Sequence, residues 1–307
     1  MNRRAAAFGL ALALDLGFGE LPGHIHPVAW LGSAAQALAR RLPQGVRRSQ
    51  LLGGLAIAGL FPALALFSGL AVERATSRLP PLLSLIARAF ALKQSFAVRS
   101  LFGHVSAVRE PLAAADLPRA RAAVGMIVSR PTDSLGPDAV ASAAIESLTE
   151  NASDSAIAPL AWYALGGLPA AYAYRAVNTL DAIFGYRDRG LFGMPSARLD
   201  DLLNLVPARV TALLFAAAAG RRNGGRALRG VIYDAGATPS PNSGWPMAAA
   251  AHALDVRLEK HGHHVLNASG SPPGPADIDR ALVLTARAFA LGAACLLAVL
   301  SAREAAR

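Results

Sequence analysis

The feature that most constrains this chain is an apolar segment that runs from Leu51 to Val72. Its 22 residues carry no charge, and as an α-helix rising about 1.5 Å per residue they extend roughly 33 Å. A hydrocarbon core is about 30 Å thick, so this length predicts a membrane-spanning helix, with a buried helix of a soluble protein as the alternative. Pro62 inside the segment predicts a kink, which a spanning helix tolerates.

The composition supports a membrane location. Of 307 residues, 53% are hydrophobic and 16% are charged, whereas soluble domains usually carry about 25% charged residues. The net charge is +10, and all basic residues except Lys93 and Lys260 are arginines. These arginines lie mostly at the edges of apolar stretches, as in loops that flank membrane segments. A nucleic-acid surface would cluster its cations on polar helices or tails, so we expect no nucleic-acid partner.

Shorter apolar runs predict further helices. The runs are Ala5–Leu14, Val210–Gly220 and Ala288–Ala302. The last two reach spanning length only by including an arginine near one end, where its side chain can extend to the membrane surface. The first run follows two arginines like a signal peptide, but it lacks a cleavage site, so we expect it to be retained. Helical spacing also predicts polar helices over 98–108 and 117–127, the second starting at Asp116 and Pro118.

The segment Ser155–Tyr174 contains 20 uncharged residues, but Gly166, Gly167 and Pro169 interrupt it. The Gly-Gly-Leu-Pro string is typical of a turn between two short helices. A re-entrant hairpin therefore fits as well as a single span. We favour the hairpin because it places the polar clusters before and after it on the same side of the membrane. The sequence predicts an all-α, polytopic integral membrane protein with polar interhelical loops, formed by one domain over residues 1–307.

The cluster before this segment is acidic. Glu146, Glu150 and Asp154 have i, i+4 and i+8 spacing, which places them on one face of a helix. Like charges at this spacing repel each other, so the pattern predicts a counter-charge or a metal ion beside them. The alternative is a solvated acidic face. Asn151 and the apolar run that follows make that alternative weaker.

The cluster after the segment mixes arginines with carboxylates. Arg175, Asn178 and Asp181 follow each other at i+3 steps on one helical face. Asp200 and Asp201, with Asn204, then offer the hard oxygen ligands that Mg²⁺ prefers. Interleaved arginines suit the binding of phosphate or carboxylate groups. The alternative is that these charges only pair with each other between helices.

Three weaker motifs remain. His26 precedes a proline in a short loop, and Ser240–Pro246 is a turn-rich loop whose hydroxyl and amide groups could bind a ligand. The triplet His261, His263 and His264 suggests a metal site, but without further ligands at suitable spacing a solvated loop is favoured. No Gly-x-x-x-x-Gly-Lys-Ser/Thr motif is present. A nucleotide would therefore bind through arginines and carboxylate-bound Mg²⁺.

Long strings within these segments resemble the adenosylcobinamide-phosphate synthase family, membrane proteins of cobalamin biosynthesis. The strings are residues 15–32, Tyr174–Asp181, Ser196–Asp201 and Ser240–Pro246. The resemblance extends from Asp15 to about Asn267. Pro131 replaces an aspartate of the family pattern, Met194-Pro195 replaces a Trp-Ala pair, and Met247 replaces a glutamate. These departures affect local roles only.

The resemblance implies ATP-dependent amide formation. The free propionate carboxylate of adenosylcobyric acid would be joined to aminopropanol or aminopropanol phosphate, giving adenosylcobinamide or its phosphate, with ATP and Mg²⁺ required. A carboxylate is a poor acyl donor, so an acyl phosphate is the expected intermediate. The partners would be these substrates, the lipid bilayer and other membrane-associated enzymes of the pathway. The active face would be the cytoplasmic face of the cell membrane, where ATP is available.

Two other classes of function remain open from the sequence. Membrane helices with buried arginine–aspartate pairs also form the substrate paths of permeases. A structural subunit of a corrinoid-pathway complex is the other alternative. Clusters in loops that flank membrane segments, and not in mid-membrane, favour the enzyme.

The candidate site residues fall into three groups. The expected catalytic residues are Glu150, Asn151, Asp181, Asp200 and Asp201. The expected metal ligands are Glu146, Glu150, Asp154, Asp181, Asp200 and Asp201. The expected substrate-binding residues are His26, Arg130, Arg175, Asn178, Arg187, Ser196, Arg198, Asn204, Ser240 and Asn242.

Overall fold

A computed structural model describes residues 3–42, 45–185 and 190–305. These residues are almost entirely helical, as the sequence predicts. The helices are α1 Arg3–Phe18, α2 Pro27–Ala39, α3 Arg47–Ser77, α4 Pro81–Lys93, α5 Val98–Ala113, α6 Leu117–Gly125, α7 Pro137–Asn151, α8 Ala158–Phe184, α9 Gly190–Ala218, α10 Gly220–Asp234, α11 Gly244–Leu254 and α12 Pro275–Ala305. A π-helical segment, Ala152–Ile157, lies between α7 and α8.

The chain divides into two compact units, each built from discontinuous stretches. Unit 1 comprises Met1–Ala97, Ala158–Asn204 and Cys295–Arg307, and unit 2 comprises Val98–Ile157 and Leu205–Ala294. Neither unit corresponds to one contiguous segment, which explains why no linker marks a boundary in the sequence. The assignment of a single domain stays a prediction.

The predicted span Leu51–Val72 is confirmed within α3, which continues through Pro62. Only 22% of its most apolar 18-residue window is buried inside the protein. Leu60, Leu64 and Phe67 are exposed on its surface. A helix that presents so much apolar surface outward is suited to lipid and would be costly to expose to water.

Four stretches of the described chain are long and apolar enough to cross a membrane. They are α3, α9, α12 and Pro81–Ala113. The last stretch consists of α4 and α5, which a turn at residues 94–97 separates. The predicted run Ala288–Ala302 thus falls within a candidate span, and the run Val210–Gly220 does so up to Ala218, where α9 ends. By contrast, Ala5–Leu14 lies in α1, whose Ala7, Phe8 and Ala11 are fully buried.

The predicted turn at Gly166–Pro169 is confirmed as a break in α8. Gly167 has φ 75° and ψ −160°, which no residue within a helix adopts. This region of backbone space is accessible essentially only to glycine. The carboxylate Oε1 of Glu73 accepts a hydrogen bond of 3.1 Å from the Leu168 N–H that the break exposes. The re-entrant path of the segment through a bilayer stays a prediction.

Unit 2 has an alanine-rich core between α7 and α11. Ile145 and Leu148 of α7 and the run Ala248–Ala251 of α11 are fully buried. Small side chains allow helices to approach closely, so the short helices of this unit can pack tightly. The predicted start of α6 is confirmed, because the Asp116 carboxylate accepts a hydrogen bond of 3.1 Å from the Arg119 N–H.

Within the described residues, the β-strands form a single two-stranded antiparallel hairpin. β1 spans Leu258–Lys260 and β2 spans His264–Leu266, with Leu258 opposite Leu266 and Lys260 opposite His264. The expected solvated loop is confirmed for His261 and His263, which are exposed. It is wrong for His264, whose side chain is only 6% exposed. The hairpin turns this histidine inward, where it meets a carboxylate.

Candidate functional site

A chain of side-chain hydrogen bonds connects α8 and α9 within unit 1. The Tyr174 hydroxyl donates to Asn204 Oδ1 at 2.8 Å, and Asn204 Nδ2 donates to Asp200 Oδ2 at 2.9 Å. Asn178 Nδ2 donates to the other Asp200 oxygen at 3.4 Å. Arg175 Nη1 donates to Asn178 Oδ1 at 3.2 Å. We call these five residues the α8–α9 network.

The α8–α9 network is deeply buried where Tyr174 of α8 meets Asn204 and Asp200 of α9. Asn204 is fully buried, Tyr174 is 1% exposed and Asp200 is 9% exposed. Both oxygens of Asp200 accept an amide N–H, so the two asparagines fix the orientation of this carboxylate. A buried polar network in which each member has a partner is rigid and specific. The structure therefore brings together four predicted site residues, namely Arg175, Asn178, Asp200 and Asn204.

Arg175 also lines a cavity of about 390 Å³ in unit 1. The other walls are mostly apolar and come from α2, α3 and α8, including Trp30, Phe61 and Tyr172. Ligand sites commonly combine an apolar cavity with a few polar groups that orient the ligand. A guanidinium at the wall of an apolar cavity suits the carboxylate of a large, mostly apolar ligand.

The other predicted residues of α8 and α9 lie in different environments. Ser196 is buried, and the Asp181 carbonyl accepts a hydrogen bond of 2.7 Å from the Gly185 N–H. The Arg198 side chain is 77% exposed and lies 3.8 Å from Asp201. This pair lies within α9 at i, i+3 spacing, so it is not the pairing between helices that the sequence left open as an alternative. Arg187 lies outside the described residues.

His26 has a structural role at the start of α2. Its Nδ1 accepts a hydrogen bond of 3.2 Å from the Val28 N–H, and its Nε2 lies 3.9 Å from Glu20. Burial is the main cause that lowers the pKa of His26 below its usual 6.5. Glu20 opposes this shift, whereas the positive charges of Lys93 and Arg175 add to it.

A buried ion pair in unit 1 was missed by the sequence analysis. Lys93 Nζ lies 3.4 Å from Asp15 Oδ1, and the two side chains are 4% and 0% exposed. Ionised side chains are rarely buried unless they are paired. Each residue lies at the end of an apolar helical run, and this position is the only feature of the sequence that points to the pair. Charges at the ends of two such runs could have suggested a pair.

A second polar cluster in unit 2 surrounds Glu146. This carboxylate lies 3.4 Å from Arg130 Nη2 and 3.6 Å from His264 Nε2, and it accepts a hydrogen bond of 3.2 Å from Ser142. The expected counter-charge is therefore present beside Glu146, which is only 7% exposed. The solvated-face alternative does not describe this residue.

The rest of the acidic pattern spans a change of helix type. Glu150 lies in α7 and Asp154 in the π-helical segment, and both are half-buried. Asn151 Nδ2 donates to the Ser147 carbonyl at 2.9 Å. π-Helical turns are rare and occur frequently at functional sites.

The predicted loop Ser240–Pro246 is shorter in the structure, because its last three residues form the first turn of α11, and its polar groups organise the remainder. Ser240 Oγ accepts a hydrogen bond of 3.2 Å from the Asn242 N–H. Asn242 Oδ1 accepts one of 3.4 Å from Arg209, whose guanidinium lies 4.4 Å from the centre of the Trp245 ring. This cation–π contact and the hydrogen bonds hold the segment against α9.

The predicted metal ligands do not form a cage of carboxylates. Three of them lie in unit 1 and three in unit 2. Within the described ranges, no three His, Cys, Asp or Glu side chains are placed to hold a metal ion. Mg²⁺ at a nucleotide site is usually held by only one or two carboxylates together with phosphate oxygens. Asp200 fits this smaller role, and the metal assignment stays a prediction.

Comparison with known proteins identifies the family to which this chain belongs. The family model described as CobD/Cbib protein matches residues 8–285. The cobalamin biosynthesis protein CobD of Rhodobacter capsulatus is 42% identical over 93% of this chain and 94% of its own length. A probable cobalamin biosynthesis protein CobD of Pyrococcus furiosus is 44% identical, covering 89% and 90% of the two chains. No solved structure matches. The family match covers most of the chain, so this polytopic membrane protein belongs to the CobD/Cbib family.

Proposed function

We propose that this protein acts in cobalamin biosynthesis as an ATP-dependent acid–amine ligase. It would join aminopropanol or aminopropanol phosphate to the free propionate carboxylate of adenosylcobyric acid. The names of its relatives support the pathway. The observation that carries the reaction type is the α8–α9 network, in which an arginine that can bind an anion adjoins a buried, oriented carboxylate.

The reaction needs the carboxylate to be activated first. A propionate oxygen attacks the γ-phosphorus of ATP, ADP leaves, and an acyl phosphate forms. The amine nitrogen then attacks the acyl carbon, phosphate leaves with one former carboxylate oxygen, and the amine loses a proton. Phosphoryl transfer depends mainly on positioning and charge neutralisation, both of which polar side chains fixed by hydrogen bonds supply.

Each member of the α8–α9 network has a role in this proposal. Arginine carries five N–H donors, so Arg175 can hold Asn178 and still donate to a propionate or phosphate oxygen. Asn178 and Asn204 keep Asp200 in one orientation. Asp200 would hold Mg²⁺, which supplies positive charge to the triphosphate when bound. Tyr174 acts as a positioning residue through Asn204.

Reconstitution with purified protein in detergent tests this proposal. We expect the amide only when Mg-ATP, adenosylcobyric acid and the amine are all present, with one ADP formed per amide. Asp200→Asn should abolish turnover without unfolding the protein. Asp116→Asn is the matched control, because asparagine caps a helix as well as aspartate does.

The alternatives predict different results in the same system. A permease or a structural subunit would form no amide with all components present, and that result would contradict the proposal. Full activity of Asp200→Asn would show that the α8–α9 network is not part of the active site. Arg175→Lys keeps the charge but loses the bidentate fork, so we expect a loss equivalent to about 1.5–3 kcal/mol.

A further inference from the structure

Unit 2 contains a cavity of about 470 Å³ at the start of α7, bordered by the β-hairpin. This volume is within the range of about 300–1,000 Å³ that is typical of small-molecule sites. Three residues with permanent positive charge line it, namely Arg130, Arg257 and Lys260. They come from two separate regions of the sequence, which the hairpin brings together.

The start of α7 forms another part of the wall. Gly136, the residue that precedes the helix, lines the cavity together with Ala139. Gly136 has no side chain that could cap the helix, and Pro137 has no N–H, so the first donors of α7 are the N–H groups of Asp138 and Ala139, which lack partners within the helix. These N–H groups and the helix dipole favour an anion at this end.

Two of the cations retain unused capacity to donate hydrogen bonds. Arg130 donates one Nη2 bond to Glu146, but its buried Nε has no hydrogen-bond partner among the described residues. Lys260 forms no ion pair within the described ranges, whereas Arg257 lies 3.4 Å from Glu259. The Arg130 guanidinium carries five N–H donors, so donors other than the buried Nε remain for an acceptor that enters the cavity.

We propose that this cavity binds the phosphate group of a small organic phosphate. Arg130, Lys260 and the first N–H groups of α7 would donate to the phosphate oxygens, which are strong acceptors of charge-assisted hydrogen bonds. Asp138 and Glu259 also line the cavity. Because they repel a bare anion, they favour a ligand that carries a positive group beside its phosphate.

Two sources could supply this phosphate, a phosphorylated amine or a nucleotide. The identity of the ligand rests on the proposed function, but the presence of a phosphate site does not. Calorimetry on the full chain in detergent would use O-phosphoethanolamine, ATP and ethanolamine as probes. We expect at least one of the two phosphates to bind, and ethanolamine not to bind. O-phosphoethanolamine binding that Lys260→Gln weakens indicates the amine source, and ATP binding that Lys260→Gln weakens indicates the nucleotide source. ATP held only by the α8–α9 network would not respond to this variant.

Matched variants locate the binding. Lys260→Gln and Arg130→Gln should each weaken phosphate binding at least tenfold, whereas Lys260→Arg should largely retain it. Arg222→Gln is the control, because it removes the same charge from an exposed position on α10. Equal weakening by Arg222→Gln, or unchanged binding in both cavity variants, would overturn the proposal.

The same variants separate this proposal from the proposed function. If wild-type protein forms the amide but Lys260→Gln and Arg130→Gln bind phosphate normally, the cavity proposal fails and the ligase survives. If these variants lose phosphate binding but wild-type protein forms no amide, the ligase fails and the phosphate site survives.

Discussion

At the scale of single residues, the hydroxyl of Tyr174 should stabilise the protein measurably. Tyr174→Phe removes the donor to Asn204 Oδ1 and leaves that buried oxygen without this partner. We expect the free energy of unfolding to fall by about 1–3 kcal/mol. Tyr233→Phe is the matched control, because Tyr233 is 82% exposed and should change stability by less than about 0.5 kcal/mol. Chemical denaturation in detergent measures both, and equal stability of the two variants would contradict the network's role.

His26 should make stability depend on pH. Its pKa is lowered in the folded protein, so its neutral form is favoured there and unfolding takes up a proton below pH 6.5. Its contribution is therefore complete above pH 6.5 and is lost as the pH falls through the folded pKa. His26→Asn keeps an acceptor at the helix start. Melting temperatures between pH 8 and pH 5 should fall less in this variant than in wild type, and parallel curves would contradict the role.

The sequence predicted the role of a residue where its partners are close in the chain, and failed where they are distant. Asp116 was predicted because a helix cap is formed within three residues. Arg175 and Asn178 were singled out by their i+3 spacing on one helical face, and Asp200 by its place beside a second carboxylate as a hard oxygen ligand. The sequence could not show that Asn204 links Asp200 to Tyr174, because that contact depends on how α8 and α9 pack. His264 was misjudged for the same reason, since its partner Glu146 is more than a hundred residues away.

At the scale of an element, the break in α8 should require Gly167. A Cβ at this position would overlap Glu73 Oε1 and lie 3.0 Å from Arg4 Nη2, and the positive φ adds strain. We expect Gly167→Ala to destabilise the protein by about 1–3 kcal/mol. Gly59→Ala in α3 meets nothing within 4 Å and should be neutral or stabilising. Thermal unfolding in detergent distinguishes them, and a neutral Gly167→Ala would show that the break is not fixed by glycine.

The elements themselves were predictable in proportion to their length and periodicity. The helix predicted from the long apolar run of α3 and the turn predicted from the Gly-Gly-Leu-Pro string were both correct. The hairpin of β1 and β2 was missed, because strands of three residues carry no readable alternation. One face of α1 is buried in unit 1, although its run after two arginines resembled a targeting segment. Burial there depends on packing against α4, which no local pattern encodes.

At the scale of the whole molecule, the apolar surface of α3 should face lipid. Leu60 is 45% exposed in this helix, and an arginine near the centre of a span costs about 2.5–3.5 kcal/mol of insertion free energy. We expect Leu60→Arg to reduce the membrane-integrated fraction, measured as resistance to alkaline extraction. Leu79→Arg, beyond the end of α3 and 41% exposed, is the control. Equal integration of both variants would contradict the lipid-facing assignment.

The most direct measurement follows oxygen during the proposed reaction. Adenosylcobyric acid labelled with ¹⁸O in its free carboxylate is incubated with the protein, Mg-ATP and aminopropanol phosphate. Activation through an acyl phosphate transfers one labelled oxygen to the phosphate that leaves, so we predict one ¹⁸O in inorganic phosphate for each amide formed. Label in AMP, amide formation without transfer of label, or no amide at all would contradict the account.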